Sequence, residues 1–139
     1  MGKLIVRAKI ENLEDVFNVR QGTLAPDQVR SVEVDHALVD TGATGLMMPT
    51  RLIKQLGLVQ FKTRQAKTVG GQVAKGVYRA VQLTIQDRDC IVDVYEVPDT
   101  IEVLIGQIPL EAMDWVVDPV GQRLIGNPAH GGEHMIDAY

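Results

Sequence analysis

The sequence predicts an all-β domain with one or two short helices, and three observations predict it. Val, Ile and Leu dominate the apolar residues while aromatics are only 4% of the chain, a composition that favours strands. Several stretches alternate apolar and polar residues with period two, the pattern of a half-buried strand. Between them stand clusters of Gly, Pro, Asp and Asn that read as turns. At 139 residues the prior is a single domain with one modest core.

Leu4, Val6, Ala8 and Ile10 alternate with Ile5, Arg7 and Lys9 and form a first strand. Glu11 to Gln28 mixes charges with Gly22 and Pro26, and reads as an irregular excursion holding one short strand near Asp15–Val19. Ser31 to His36 alternates again and runs into Ala37-Leu38-Val39. His36, one residue outside that apolar run, reads as a structural side chain rather than a proton shuttle. Leu46-Met47-Met48 leads to Pro49 and the run Thr50 to Gly57, where a proline near the first helical position and a terminal glycine describe a short capped helix. The two methionines suit adaptable core filling, with a substrate pocket as the other use.

Gln60 to Val69 reads as a strand whose Lys62, Arg64 and Lys67 face solvent, the ordinary behaviour of a basic cluster. Gly70-Gly71 joins it to Gln72–Gln86, where Val81, Leu83 and Ile85 alternate with polar neighbours, so the two strands form a β-hairpin. Asp87-Arg88-Asp89 reads as a turn, Ile91–Val97 as a strand ended by Pro98-Asp99, and Ile101–Ile105 as a buried strand. Gln107–Met113 reads as a helix of one to two turns. Trp115-Val116-Val117 and Arg123-Leu124-Ile125 then flank the turn Asp118-Pro119-Val120-Gly121, with Trp115 read as core or interface. From Asn127 to His134 the composition is that of a flexible tail, which divides the chain into a domain at 1–126 and a tail at 127–139.

The chemistry-bearing stretch is Ala37-Leu38-Val39-Asp40-Thr41-Gly42-Ala43-Thr44-Gly45. An apolar run ending at a glycine turn reads as a buried strand, and it would carry the Asp40 carboxylate into a water-poor interior. A charge there is costly unless it has a partner or a task. Taken alone, Asp-Thr-Gly is equally a loop aspartate capping its own turn. The flanks decide between the two. Leu38-Val39-Asp40-Thr41-Gly42-Ala43-Thr44, followed at a distance by Val103-Leu104-Ile105-Gly106 and the helical segment Gln107–Met113, resembles the retropepsin-like aspartic peptidase family. Those are short, single-motif, homodimeric chains, and the resemblance, spanning roughly Lys3 to Ile125, suggests a prokaryotic cytosolic member.

That resemblance implies an acid protease fold, a closed β-barrel with one or two short helices. It assigns catalysis to Asp40, the active-site loop and dimer lock to Thr41, Gly42 and Ala43, and the strand backing the loop to Leu104, Ile105 and Gly106. Val69, Gly70, Gly71 and Gln72 become the tip of a flap closing over bound peptide; as residues alone they fit an ordinary hairpin equally well. No internal repeat is present, and none of Asp87, Asp93, Asp99, Asp114 and Asp118 is followed by a hydroxyl and a glycine together. One motif gives one carboxylate where the chemistry needs two, so the implied enzyme is a homodimer acting on a peptide or protein substrate. Viral relatives place a further acid after the alanine of the motif, where this chain has Thr44-Gly45, so their specificity does not transfer. The implied function is endopeptidase activity. The alternatives are a catalytically silent dimer module for peptide binding or assembly, and a processing enzyme with one partner.

The remaining composition narrows the classes. A net charge of −4 argues against nucleic acid as a partner. The single cysteine, Cys90, allows no intrachain disulfide framework, and nothing beside it suggests an activated thiol. Met1-Gly2-Lys3-Leu4-Ile5-Val6 fits neither a myristoylation signal nor a signal-peptide core. No apolar run approaches membrane-spanning length, so the expectation is a cytoplasmic protein without a membrane partner. His130, Glu133 and His134 carry metal-ligating groups, but nothing in the sequence holds them rigid. Neither a metal nor a cofactor is expected.

Overall fold

The computed structural model describes residues 4–138; the expectations that touch Met1–Lys3 and Tyr139 lie outside them. Strand β1 (Leu4–Asn12) is followed by helix α1 (Leu13–Arg20), a 3-10 turn at Pro26–Gln28 and β2 (Ser31–Val39). Next come β3 (Leu46–Pro49), α2 (Thr50–Leu56), β4 (Val59–Thr68), β5 (Gly71–Ile85) and β6 (Arg88–Val97). The chain continues with β7 (Leu104–Ile105), α3 (Gln107–Met113), the hairpin β8 (Trp115–Asp118) and β9 (Arg123–Gly126), and a 3-10 turn at Pro128–His130.

Six of these strands close into a ring. β1 pairs antiparallel with β2 from Leu4↔Val39 to Glu11↔Ser31, and β2 lies parallel to β7 through Leu38↔Leu104 and Val39↔Ile105. β7 pairs with β3, β3 with β6 and β6 with β5. The end of β5 returns to β1 between Lys9↔Thr84 and Asn12↔Val81 and closes the circuit. β4 hangs outside the ring as the edge partner of β5. Ile10, Ala37, Leu46, Met48, Val81, Leu83, Val94 and Ile105 are fully buried and fill it. Ile53 and Leu56 of α2 and Leu110 and Met113 of α3 add their apolar faces to the same core. Met48 is therefore core, while Met47 is half-buried.

Three local expectations are corrected. Asp15–Val19 lies in α1 and is not a strand. The Asn12 side chain accepts the Asp15 N–H at 3.1 Å and caps the helix start, Glu14 and Asp15 stand in the first turn and Arg20 in the last. Arg30 then makes burial of Asp15 tolerable: its Nε and Nη2 donate to the carboxylate at 2.8 and 3.0 Å, and its backbone N–H adds a third bond at 3.0 Å. With α1, the α-helices number three among the described residues. The turn expected at Asp87-Arg88-Asp89 sits at Gln86-Asp87, with Gln86 at φ 56°, so that Arg88 opens β6 and is buried. The buried strand expected from Ile101 shortens to Leu104–Ile105, although the Val103 carbonyl still accepts the Leu38 N–H at 2.9 Å.

Beyond β9 the chain keeps contact with the body. Arg88 stacks 4.1 Å from the Trp115 ring centroid and donates to the carbonyls of Asp114 at 2.7 Å and Gly132 at 2.5 Å. The Asp114 carboxylate takes bonds from the Asn127 amide, from the Met135 N–H and, at 2.6 Å, from His130 Nδ1. Among the described residues no helix is long and apolar enough to cross a membrane.

Candidate active site

The Asp40 loop begins where β2 runs out of partners. The Asp40 N–H donates to the Ile105 carbonyl at 3.0 Å, so the residue is pinned to the end of β7. Its own carbonyl accepts the Ala43 N–H at 3.0 Å, and its Oδ1 accepts the Gly42 N–H at 2.9 Å. This is an aspartate turn, in which the side chain takes the place of a backbone acceptor. The carboxylate is thereby aimed by its own loop.

The loop is held from behind by the start of α3. Gly106, Gln107 and Ile108 donate their backbone N–H groups to the carbonyls of Gly45, Ala43 and Thr44 at 2.9, 2.9 and 2.8 Å. The first N–H groups of a helix have no partner inside it, and here the loop supplies acceptors. The approach is close enough to require a glycine at 106: a Cβ there would stand 2.5 Å from the Ala43 carbonyl oxygen. Gly45 in turn lies against the Tyr95 ring, where a Cβ would come within 2.9 Å of Cε1.

Asp40, Thr41 and Gly42 are exposed in the single chain, and Ala43 is half-buried. This corrects the expectation of a carboxylate carried into the interior. β2 ends one residue before Asp40, so the loop lies on the rim of the ring, above Leu46 and Ile105, and not within it. The structure thus brings Asp40, Thr41, Gly42 and Ala43 together with Leu104, Ile105 and Gly106. Val69, Gly70, Gly71 and Gln72 lie apart from them, exposed at the tip of the β4/β5 hairpin. Among the described residues no hydrogen bond joins that tip to the loop. Gly71 stands at φ 116°, whereas Gly70 is not in the left-handed region.

At the root of the hairpin stands a polar cluster that the sequence did not single out. The Glu96 carboxylate accepts from Thr50 Oγ1 at 2.6 Å and from the Tyr78 hydroxyl at 3.1 Å. Burial, reinforced by the Glu96 carboxylate, raises the Tyr78 pKa. Gly76 completes the cluster; a Cβ there would touch both Glu96 and Tyr78 at 3.0 Å. The members come from α2, β5 and β6, and only strand register joins them.

Other reactive groups are differently placed. His36 is exposed. The Cys90 thiol is buried, and its pKa is pushed up to about 12 by burial and by Asp89, which keeps it protonated and inert. His130 is engaged by Asp114 and Asp137 and His134 by the Ala112 carbonyl. Among the described residues no group of three His, Cys, Asp or Glu side chains is placed to hold a metal ion.

Set beside known proteins, residues 25–107 match the family of sequences described as aspartyl protease, more than half of the chain. The match contains Asp40-Thr41-Gly42 and Leu104-Ile105-Gly106, and it supports protease activity in general. Comparison with curated proteins finds no match.

Proposed function

Because the chain belongs to the aspartyl protease family, we propose that it is an endopeptidase working as a homodimer, with Asp40 and its symmetry mate activating one water. Two carboxylates in contact do not both ionise; they share a proton and titrate as a pair. The charged member takes a proton from water as general base. The water oxygen then attacks the scissile carbonyl carbon, while the protonated member donates its hydrogen bond to the carbonyl oxygen. Collapse of the resulting gem-diol breaks the C–N bond as a proton passes to the leaving amine. No cofactor enters the reaction.

One observation carries this reading: the single Asp40 carboxylate, exposed at the rim and oriented by the Gly42 N–H, rides on a loop clamped by three N–H groups at the start of α3. That is a rigid half of a two-carboxylate site. A two-fold axis beside the loop presents the same patch from a second chain and completes it. On this reading Thr41 bonds across the axis and Gly42 leaves room for the substrate backbone. The β4/β5 hairpin, with Gly71 at its bend, closes over the peptide. Thr44 has its carbonyl committed to α3, and nothing acidic stands at 44 or 45 to hold the substrate backbone.

The test is digestion of a peptide library by wild type and by Asp40→Asn, with sedimentation of both. Cleavage by the wild-type dimer and none by the variant dimer is expected. Cleavage that survives in the variant, or that proceeds from a monomer, overturns the proposal.

A further inference from the structure

Charge is divided unequally over this molecule. Between Val59 and Arg79, the segment that contains β4 and the outer half of β5, there are five Lys or Arg and no Asp or Glu. The whole chain has 14 basic against 18 acidic side chains, so the hairpin is strongly cationic on an otherwise strongly anionic protein. Elsewhere among the described residues most cations are matched: Arg7, Lys9, Arg30, Arg51 and Arg123 each stand within ion-pair distance of a carboxylate, while Arg88 is spent on backbone carbonyls and Arg20 and Lys54 stand singly. In the hairpin only Arg79 is matched, with Asp93 at 3.1 Å. Among the described residues Lys62, Arg64, Lys67 and Lys75 have no carboxylate partner.

Strand register sharpens the point. Arg64 pairs directly with Lys75 across the hairpin, which sets two cations side by side on one face, and like charges directly opposite destabilise an antiparallel pair. Lys62, two residues before Arg64, shares that face. Charge on an edge strand protects it from pairing with other chains, and that accounts for β4. It does not account for a single sign on both strands, since alternating signs would protect the edge equally and stabilise the pair.

We propose that this hairpin selects acidic peptide, with Lys62, Arg64 and Lys75 receiving Asp or Glu side chains that flank the scissile bond. The inference rests on the hairpin being the flap of the site proposed above. An anion beside Arg64 and Lys75 relieves their repulsion, and so binding and closure of the hairpin become coupled. Exposed cations of this kind act within about 10 Å at 0.1 M salt, which makes the preference dependent on ionic strength.

The experiment uses Asp40→Asn protein, so that binding is read apart from cleavage. Two fluorescent peptides of equal length, one with Asp/Glu flanks and one with Asn/Gln flanks, are titrated by anisotropy at about 50 and about 300 mM NaCl. The expected result is about fivefold tighter binding of the acidic peptide at low salt. Most of that preference is lost at high salt and in Arg64→Gln/Lys75→Gln on the same background. Equal binding of the two peptides overturns the inference. So does tighter binding of a single-stranded oligonucleotide than of the acidic peptide, or a monomer–dimer equilibrium that moves with Arg64→Gln/Lys75→Gln, since the cations then serve nucleic acid or a second copy. Wild-type protein separates the two readings. Acidic peptide bound with preference but never cleaved defeats the peptidase proposal and keeps the cationic surface. Cleavage with no acidic preference does the reverse.

Discussion

Gly106 lies directly behind Ala43: a Cβ built on Gly106 would stand 2.5 Å from the Ala43 carbonyl oxygen, and 2.6 Å from that of Gly45. Both are backbone atoms that cannot swing aside, and both accept hydrogen bonds from the start of α3. Gly106 itself has φ −88°, which any residue adopts. Space, not dihedral freedom, fixes glycine here. Gly106→Ala should therefore lower stability by about 1–3 kcal/mol and displace the Asp40 loop. Thermal unfolding and peptide cleavage both report it. A variant that melts and cleaves like wild type would show that the loop yields without consequence.

Gly71 is constrained for the opposite reason. It stands at φ 116° with nothing within 4 Å of its Cβ position, so a side chain finds room but a strained backbone. Gly71→Val should disfavour the present bend by about 1–3 kcal/mol, while the ring, which the tip does not touch, keeps its melting temperature. Turnover should fall if the hairpin must close. Gly70→Val, outside the left-handed region, should do much less. Equal kinetics in all three proteins would make the hairpin a purely structural element.

The sequence makes the site legible wherever a local pattern suffices. Ala37-Leu38-Val39 before Asp40-Thr41-Gly42, and Leu104-Ile105 before Gly106, stand out as apolar runs that end at a glycine turn, and the structure joins them through the Asp40 N–H and the Ile105 carbonyl. The ring strands are likewise visible as alternation. What escaped needed a distant partner. α1 carries its Asn12 cap in the sequence, but its buried Asp15 makes sense only with Arg30, 15 residues on. Thr50, Tyr78 and Glu96 meet through the register of three elements. The exposure of Asp40 depends on where β2 stops, and strand ends are the least certain part of an alternation pattern.

His130 gives a prediction with a definite sign in pH. Its Nδ1 lies 2.6 Å from Asp114 and its Nε2 3.0 Å from Asp137, so both ring nitrogens face carboxylates. The Asp114 bond first, then the Asp137 bond, raises the His130 pKa above its ordinary 6.5. The His130 bond first, with the Met135 N–H and the Asn127 amide, lowers that of Asp114 below its ordinary 3.8 against the effect of burial. The histidine's contribution is therefore complete below 6.5 and lost as pH rises through its raised folded value. The aspartate's is complete above 3.8 and lost only as pH falls through its lowered one. The segment 127–137 should be held best in mildly acidic solution, near pH ~5, and loosen above neutrality. Hydrogen exchange, corrected for intrinsic rates, should show greater protection at pH ~5.5 than at pH ~8.5, and His130→Gln should erase the difference. Protection that is independent of pH in wild type would mean that the Arg88 bond to the Gly132 carbonyl holds the segment without the ion pair.

The half-site has a consequence in mixtures that no single-chain enzyme shares. Asn at position 40 keeps an oxygen to accept the Gly42 N–H, so Asp40→Asn should preserve the loop and still dimerise. A mixed dimer then has one carboxylate, which cannot supply both the base and the acid. When wild type and variant are unfolded together and refolded in equal amounts, random pairing leaves about a quarter of the dimers intact. Activity per wild-type chain should halve, and at constant total protein the total activity should follow the square of the wild-type fraction. Dilution of wild type alone should likewise reduce the rate more steeply than linearly as dimers dissociate. Activity strictly proportional to the wild-type fraction, unchanged by the variant and linear on dilution, would show that each chain carries a whole site.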